Sequence, residues 1–227
     1  VTVHYNFDGP AGLASIERSS DFRPRRACWD GASWYKGSRS GAFEPIGASR
    51  VSDEIVILLT ACGVLILLGA LELILHRRRL ARIPIRIHVN GTRGKTSVTR
   101  LIAAGLREAG IRCVAKTTGT VPRFILPNGR EVPVYRPGGA NIIEQKQSVT
   151  MAAAQRAEAL VVECMALQPL LQSLSELRLV RATHGVITNV RPDHLDVMGP
   201  TMDDVAASLA GTVPRQSHLF TAEDRYA

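Results

Sequence analysis

Hydrophobic and polar positions change their pattern several times along the chain, and each change marks a different kind of element. Residues 1–50 carry no sustained period of 2 or 3.6 and are rich in Gly, Pro and Ser, with Trp29 and Trp34 among them. They read as a flexible extramembrane tail or as a wrongly chosen start. From Ile55 to Leu75 the pattern becomes apolar on every face, IVILLTACGVLILLGALELIL, with Glu72 as its one charge. A helix rising about 1.5 Å per residue would cross a hydrocarbon core of roughly 30 Å over this length. A core helix is seldom apolar all round for five turns, and a signal peptide would lie nearer the N-terminus and end in a small-residue cleavage site. The pattern predicts a transmembrane helix over 54–75.

Beyond residue 82 short apolar runs alternate with amphipathic stretches. Ile83–Asn90, Ile111–Lys116, Ala159–Glu163, His184–Val190 and His218–Ala222 read as strands. Phe124–Val134 reads as a hairpin turning at Asn128-Gly129, an edge or a lid. Helices are predicted after residue 95 up to a stop at Gly110, from Pro137 to about Ala157, and from Thr201, where Asp204 completes a capping box. Helices between strands predict an α/β fold with a mostly parallel, doubly wound sheet.

Charge fixes an orientation. The 227-residue chain has Lys+Arg 28 against Asp+Glu 20, a formal charge of +8. The excess is local: Arg77, Arg78, Arg79, Arg82, Arg86, Arg93, Lys95, Arg100 and Arg107 fall between residues 76 and 107 with no acid among them, while Asp53 and Glu54 precede the apolar run. Positive charge stays inside, so residues 76–82 form a basic juxtamembrane connector and the rest is expected to be cytoplasmic. The bases sit at the membrane edge without interleaved aromatics, which argues against a nucleic-acid surface. Cys28, Cys62, Cys113 and Cys164 form no C-x-x-C pair, which argues against a zinc site or a disulfide framework.

The chemistry concentrates at Gly91-Thr92-Arg93-Gly94-Lys95-Thr96-Ser97, set between a strand and a helix. Glycines let successive N–H groups turn into one anion-sized nest at the helix start. Lys95 would then face the β- and γ-phosphates of a nucleotide, and the Thr96 hydroxyl would ligate Mg²⁺. Lysine is scarce here (Lys36, Lys95, Lys116 and Lys146 are all there are), so one at the phosphate-loop position points to a need for a compact ammonium. The first glycine of the full G-x-x-x-x-G-K-[ST] pattern is replaced by Val89.

In such sheets ligands bind beyond the carboxyl ends of the strands. Glu163 ends a buried strand, where a carboxylate is costly without a cation, and is expected to share the Mg²⁺ held by Thr96. His194, after the GVITNV strand, is expected to serve a second metal or a phosphate, with Asp193 and Asp196 steadying its ring. Glu144 and Lys146 are compatible with a solvated helix face and are assigned no role.

These residues resemble the Mur ligase family of ATP-dependent amide ligases. The likeness rests on G-T-R-G-K-T, the G-G-A-N-I stretch, strand-end Glu163 and N-V-R-P-D-H-L-D. More narrowly, NGTRGKTSVTRLI, AKTTGT, EQK, ECMA and DHLDVMGPT resemble the ligase subunit of capsule-type poly-γ-glutamate synthases, from about Glu54 to Ala227. The resemblance implies ATP and Mg²⁺ as cofactors, a P-loop-containing central domain over 83–227, glutamate and a poly-γ-glutamate chain as substrates, and other membrane subunits of a synthase and export complex as partners. It implies that Lys95 and the Gly91–Thr96 amides hold phosphates, that Thr96 and Glu163 hold one metal and His194 helps with a second, and that Asn141 approaches the γ-phosphate or its metal. Two departures follow. No lysine lies after Lys146 to supply the carbamylated ligand found in many members, and the family's C-terminal domain is missing before Ala227, so the chain is either truncated or unable to complete catalysis alone. Two other readings stand beside this one: a membrane-tethered kinase or regulator of capsule export, and a non-catalytic ATP-binding remnant.

Overall fold

The computed structural model describes residues 48–119, 121–136, 138–215 and 217–226. The reading of residues 1–47 lies outside them. The described part opens on a single helix, α1 (Ala48–Ala81), 34 residues long. Its Ser52–Ala81 stretch has a mean hydropathy of 2.5 in the most apolar window, none of which is buried by the rest of the chain. By length and composition it can cross a membrane. The helix does not stop at Leu75. It runs on through Arg77, Arg78 and Arg79, so the expected connector is its last turns. Those turns are fastened to the domain: Leu80 and His76 are buried, and His76 Nε2 bonds to the Leu179 carbonyl at 3.0 Å. Glu72 pairs with Lys146 at 2.7 Å.

A seven-stranded sheet follows, in the order β4-β3-β2-β5-β1-β6-β7. The strands are β1 (Ile85–Asn90), β2 (Cys113–Thr117), β3 (Arg123–Ile125), β4 (Glu131–Pro133), β5 (Ala159–Glu163), β6 (His184–Ile187) and β7 (His218–Thr221). Five of them are parallel, and β3 and β4 add an antiparallel hairpin at one edge. Gly129 makes that turn at φ 80, a conformation open to glycine. The helices are α2 (Lys95–Glu108), α3 (Glu144–Ala154), α4 (Pro169–Leu174), α5 (Leu195–Met198) and α6 (Met202–Ala210), with a π-helical turn at Ser175–Val180.

Alternation along the strands builds a core on each face. Cys113, Ala115, Ala159 and Val161 pack with Ile87, Val89 and the apolar side of α2, namely Val98, Ile102 and Leu106. Their neighbours Val114, Leu160 and Val162 turn the other way, against Val149 and Ala152 of α3 and Leu80 and Ile83 at the end of α1. Each such buried branched side chain contributes about 1.5–3 kcal/mol. The sheet is thus covered on both sides, as a doubly wound fold requires.

Several boundaries moved, some for plain local reasons. β1 begins at Ile85, past Pro84, which has no N–H to give. α3 begins at Glu144 because the Asn141 side chain accepts from Ile143 N at 3.0 Å and holds a turn there. It ends at Ala154, where Arg156 takes φ 49 and Ala157 N returns to the Ala152 carbonyl. The capping box forms as read: Thr201 Oγ1 accepts from Asp204 N, and Asp204 accepts from Thr201 N.

Candidate functional site at the ends of β1, β5 and β6

The loop from Gly91 to Gly94 joins β1 to α2 at the carboxyl end of the sheet. Gly91 has φ 126, and a Cβ there would lie 2.1 Å from Thr188 Oγ1, so the loop passes against the end of β6 with no room for a side chain. Gly94, the N-cap of α2, has φ 82 and would meet nothing within 4 Å. It brings no side chain to cap the helix. The first N–H groups of α2, which no intrahelical carbonyl can take, are thus left without a capping side chain. With the helix dipole behind them they make a fitting cradle for an anion.

Asn189 braces this loop, a role the sequence did not disclose. Its Oδ1 accepts from Thr92 Oγ1 at 2.7 Å and from Arg93 N at 3.2 Å, and its Nδ2 donates to the Arg93 carbonyl at 3.0 Å. Thr188 Oγ1 donates to the same carbonyl at 2.7 Å. These bonds explain why β6 stops at Ile187 rather than Val190: the next residues turn their polar groups to the loop. Lys95 Nζ lies over the loop, donating to the Gly91 carbonyl at 2.7 Å and the Thr92 carbonyl at 3.3 Å.

Glu163, at the end of β5, is 3% exposed. Both of its carboxylate oxygens lie 3.0 Å from Thr96 Oγ1, and one accepts from Thr118 N at 2.7 Å. A hydroxyl and a carboxylate side by side beside an anion cradle suit a hard divalent cation, which takes one or two protein oxygens and fills its shell with phosphate and water. The donor set fits magnesium.

The other expected residues are placed differently. His194 is half exposed with φ 45, and its Nε2 lies 3.9 Å from Asp193 Oδ1. Among the described residues it touches neither Thr96 nor Glu163, and no group of three or more His, Cys, Asp or Glu is gathered to hold a metal. Asp193 also reaches the loop, taking Arg93 at 3.2 Å, while Asp196 is exposed and makes no contact with the ring. Asn141 spends its side chain in its own turn. Ser97, on the first turn of α2, is exposed.

Glu144 is not on a solvated face. It is 5% exposed and takes Lys116 at 2.9 Å and Arg136 at 2.7 Å, with the Lys116 side chain fully buried. Burial works against the Glu144 carboxylate, but the two cations outweigh it and hold it below the usual carboxylate range. Burial draws Lys116 below the ordinary lysine value, with Glu144 opposing. The nearby Gln145 donates to the Glu163 carbonyl at 3.2 Å, so the start of α3 is tied to the strand that carries the site. The sequence signal was the rarity of lysine and a Lys in an otherwise apolar strand.

Known proteins set this geometry in a family. The Mur ligase middle domain matches residues 89–217. The capsule biosynthesis protein CapB of Bacillus anthracis is 45% identical over 176 residues, 76% of this chain and 38% of that protein. The PGA synthase CapB of Bacillus subtilis (strain 168) is 42% identical over 172 residues, 75% of this chain and 44% of that one. The chain spans about two fifths of the length of these curated relatives. The solved structure of E. coli FolC in complex with ADP, without folate substrate, aligns with a TM-score of 0.49 at 19% identity, over 69% of this chain and 42% of that one, a likeness too slight to carry an argument. The middle-domain pattern runs from Val89 in β1, through the loop, Glu163 and the braces of β6, to the threshold of β7, more than half of the chain: this protein belongs to the Mur ligase family.

Proposed function

We propose that the chain is the membrane-anchored, ATP-binding part of an ATP-dependent ligase that adds glutamate to a growing poly-γ-glutamate chain, for a capsule or an exported polymer. The observation that carries the ATP half of this reading is the meeting of Thr96 and Glu163 beside the open first turn of α2. The polymer half is supported by the relatives' names, capsule biosynthesis protein and PGA synthase. The exposed apolar span of α1 and the arginines behind it support a single-pass anchor with a cytoplasmic domain, and partner subunits in the membrane rest on the family resemblance alone.

In this reading the first-turn amides of α2 and the Lys95 ammonium bind the phosphates, and Asn189 keeps the loop curled for them. Thr96 and Glu163 would hold Mg²⁺, which when bound neutralises charge on the transferring phosphoryl group. The γ-phosphoryl passes to the terminal carboxylate of the polymer, giving an acyl phosphate and ADP. The amine of an incoming glutamate attacks the acyl carbon and expels phosphate, leaving an amide. Little covalent work falls to the protein, and positioning dominates. Roles for Asn141 at the γ-phosphate and His194 at a second metal rest on the family resemblance alone.

The test uses membranes carrying the full-length protein. ADP release should require ATP, Mg²⁺ and glutamate together, and Lys95→Ala should abolish it. Release indifferent to glutamate, with phosphate appearing on protein tyrosine, would favour the kinase reading.

A further inference from the structure

A cavity of about 730 Å³ lies away from the phosphate loop, where the last turns of α1 meet the π-helical turn and the start of β1. Five arginines line it: Arg77, Arg86, Arg178, Arg181 and Arg215. Among the described residues none of the five forms an ion pair. The one acid in the lining, Glu176, is spent inward, on His88 Nδ1 at 2.8 Å and on Ala182 N at 2.7 Å. Arg86 is half-buried and gives its hydrogen bonds to the carbonyls of Arg181, Leu80 and Ile83, at 2.8, 3.3 and 2.6 Å. Its guanidinium sits below the ordinary arginine value, first through burial and then through the charge of Arg181, with Glu176 opposing. Five like charges thus face one cavity whose single carboxylate is engaged elsewhere, an arrangement that an entering anion would relieve.

Position says which anion. Leu73 and Arg77 of α1 both line the cavity, and the apolar run ends between them at Leu75. The buried His76 and Leu80 fix that height relative to the domain. The mouth therefore stands at the level where hydrocarbon gives way to headgroups on the basic side of the span.

We propose that this arginine-lined cavity binds the phosphate of an anionic phospholipid headgroup from the cytoplasmic leaflet, seating the domain on the membrane. The proposal rests on the reading of α1 as a membrane span, and the experiment separates the two. Short-chain phosphatidylglycerol is titrated into the purified full-length protein in neutral detergent and binding is read by native mass spectrometry, with phosphatidylcholine of equal chain length as control. Phosphatidylglycerol should bind in preference. The Arg178→Gln/Arg215→Gln variant, changed at two exposed positions, should bind it roughly tenfold to thirtyfold more weakly, as expected for two lost surface charges. Equal binding of the two lipids, or an unchanged double variant, overturns the proposal. Displacement of phosphatidylglycerol by equimolar inorganic phosphate assigns the cavity to a free anion and overturns the lipid assignment. Carbonate extraction of membranes tests the span separately: α1 should stay in the pellet in both wild type and variant, and release of the wild type would sink the span without touching the titration.

Discussion

Thr96 and Glu163 stand 67 residues apart in the chain, yet the hydroxyl of one lies 3.0 Å from both carboxylate oxygens of the other. β1 and β5 are neighbours in the sheet, with Val89 opposite Glu163, so the end of one strand delivers the loop and the end of the other delivers the acid. This pairing is the simplest place to break the proposed chemistry. Glu163→Gln keeps the size and an acceptor for Thr118 N, and is expected to leave the fold intact. ADP release by the full-length protein should fall by about a hundredfold or more, as for loss of a metal ligand in phosphoryl transfer. Wild-type turnover in this variant would remove Glu163 from the site.

The loop glycines should differ sharply. Gly91→Ala puts a Cβ 2.1 Å from Thr188 Oγ1 at φ 126, and should cost about 2–5 kcal/mol. Gly94→Ala meets nothing and should cost only its left-handed backbone, about 1–2 kcal/mol. Chemical denaturation of both variants checks the order.

Asn189→Ala removes three side-chain hydrogen bonds that hold the loop. At about 1 kcal/mol for each, ATP affinity should weaken by tenfold or more with the helical signal unchanged. Fluorescent ATP analogue titration and circular dichroism on the same sample decide this. Unaltered affinity would show that the loop keeps its shape without the brace.

The buried pair of Lys116 and Glu144 should matter for stability more than its polarity suggests. Glu144→Ala leaves the fully buried Lys116 without its carboxylate and is expected to cost about 3–5 kcal/mol. Adding Lys116→Met should restore much of the loss. A double variant no more stable than Glu144→Ala would mean that Arg136, not Lys116, sets the penalty.

A second buried pair gives a pH signature. Burial pulls the His88 imidazole down, but its interactions with Cys164 and with Glu176 outweigh that and push it up to about 9. Raised above the ordinary histidine value of about 6.5, it contributes stability fully below that pH and loses it as pH climbs through about 9. Melting temperature should therefore decline between those values, and His88→Gln should flatten the decline.

Much of this was legible in order along the chain. The apolar run, the strand–glycine loop–helix unit, the Asn128-Gly129 turn, the Thr201–Asp204 box and the strand of Ala159–Glu163 are written in consecutive residues, because periodicity, turn conformation and capping are local properties. What the sequence could not state was which polar groups meet across the sheet. Glu144 looked like a surface acid until β2 brought Lys116 beneath it, and Asn189 looked like a strand end until the loop after β1 closed on it. The arginines after Leu75 read as a topological signal, and only the continuation of α1 onto the domain gathers two of them, Arg77 and Arg86, with Arg178, Arg181 and Arg215 into one cavity. Sequence set the elements and their order through short-range sterics and hydrophobic pattern. Tertiary structure chose the partners of the buried charges, because leaving any of them unpaired costs more than the packing around it returns.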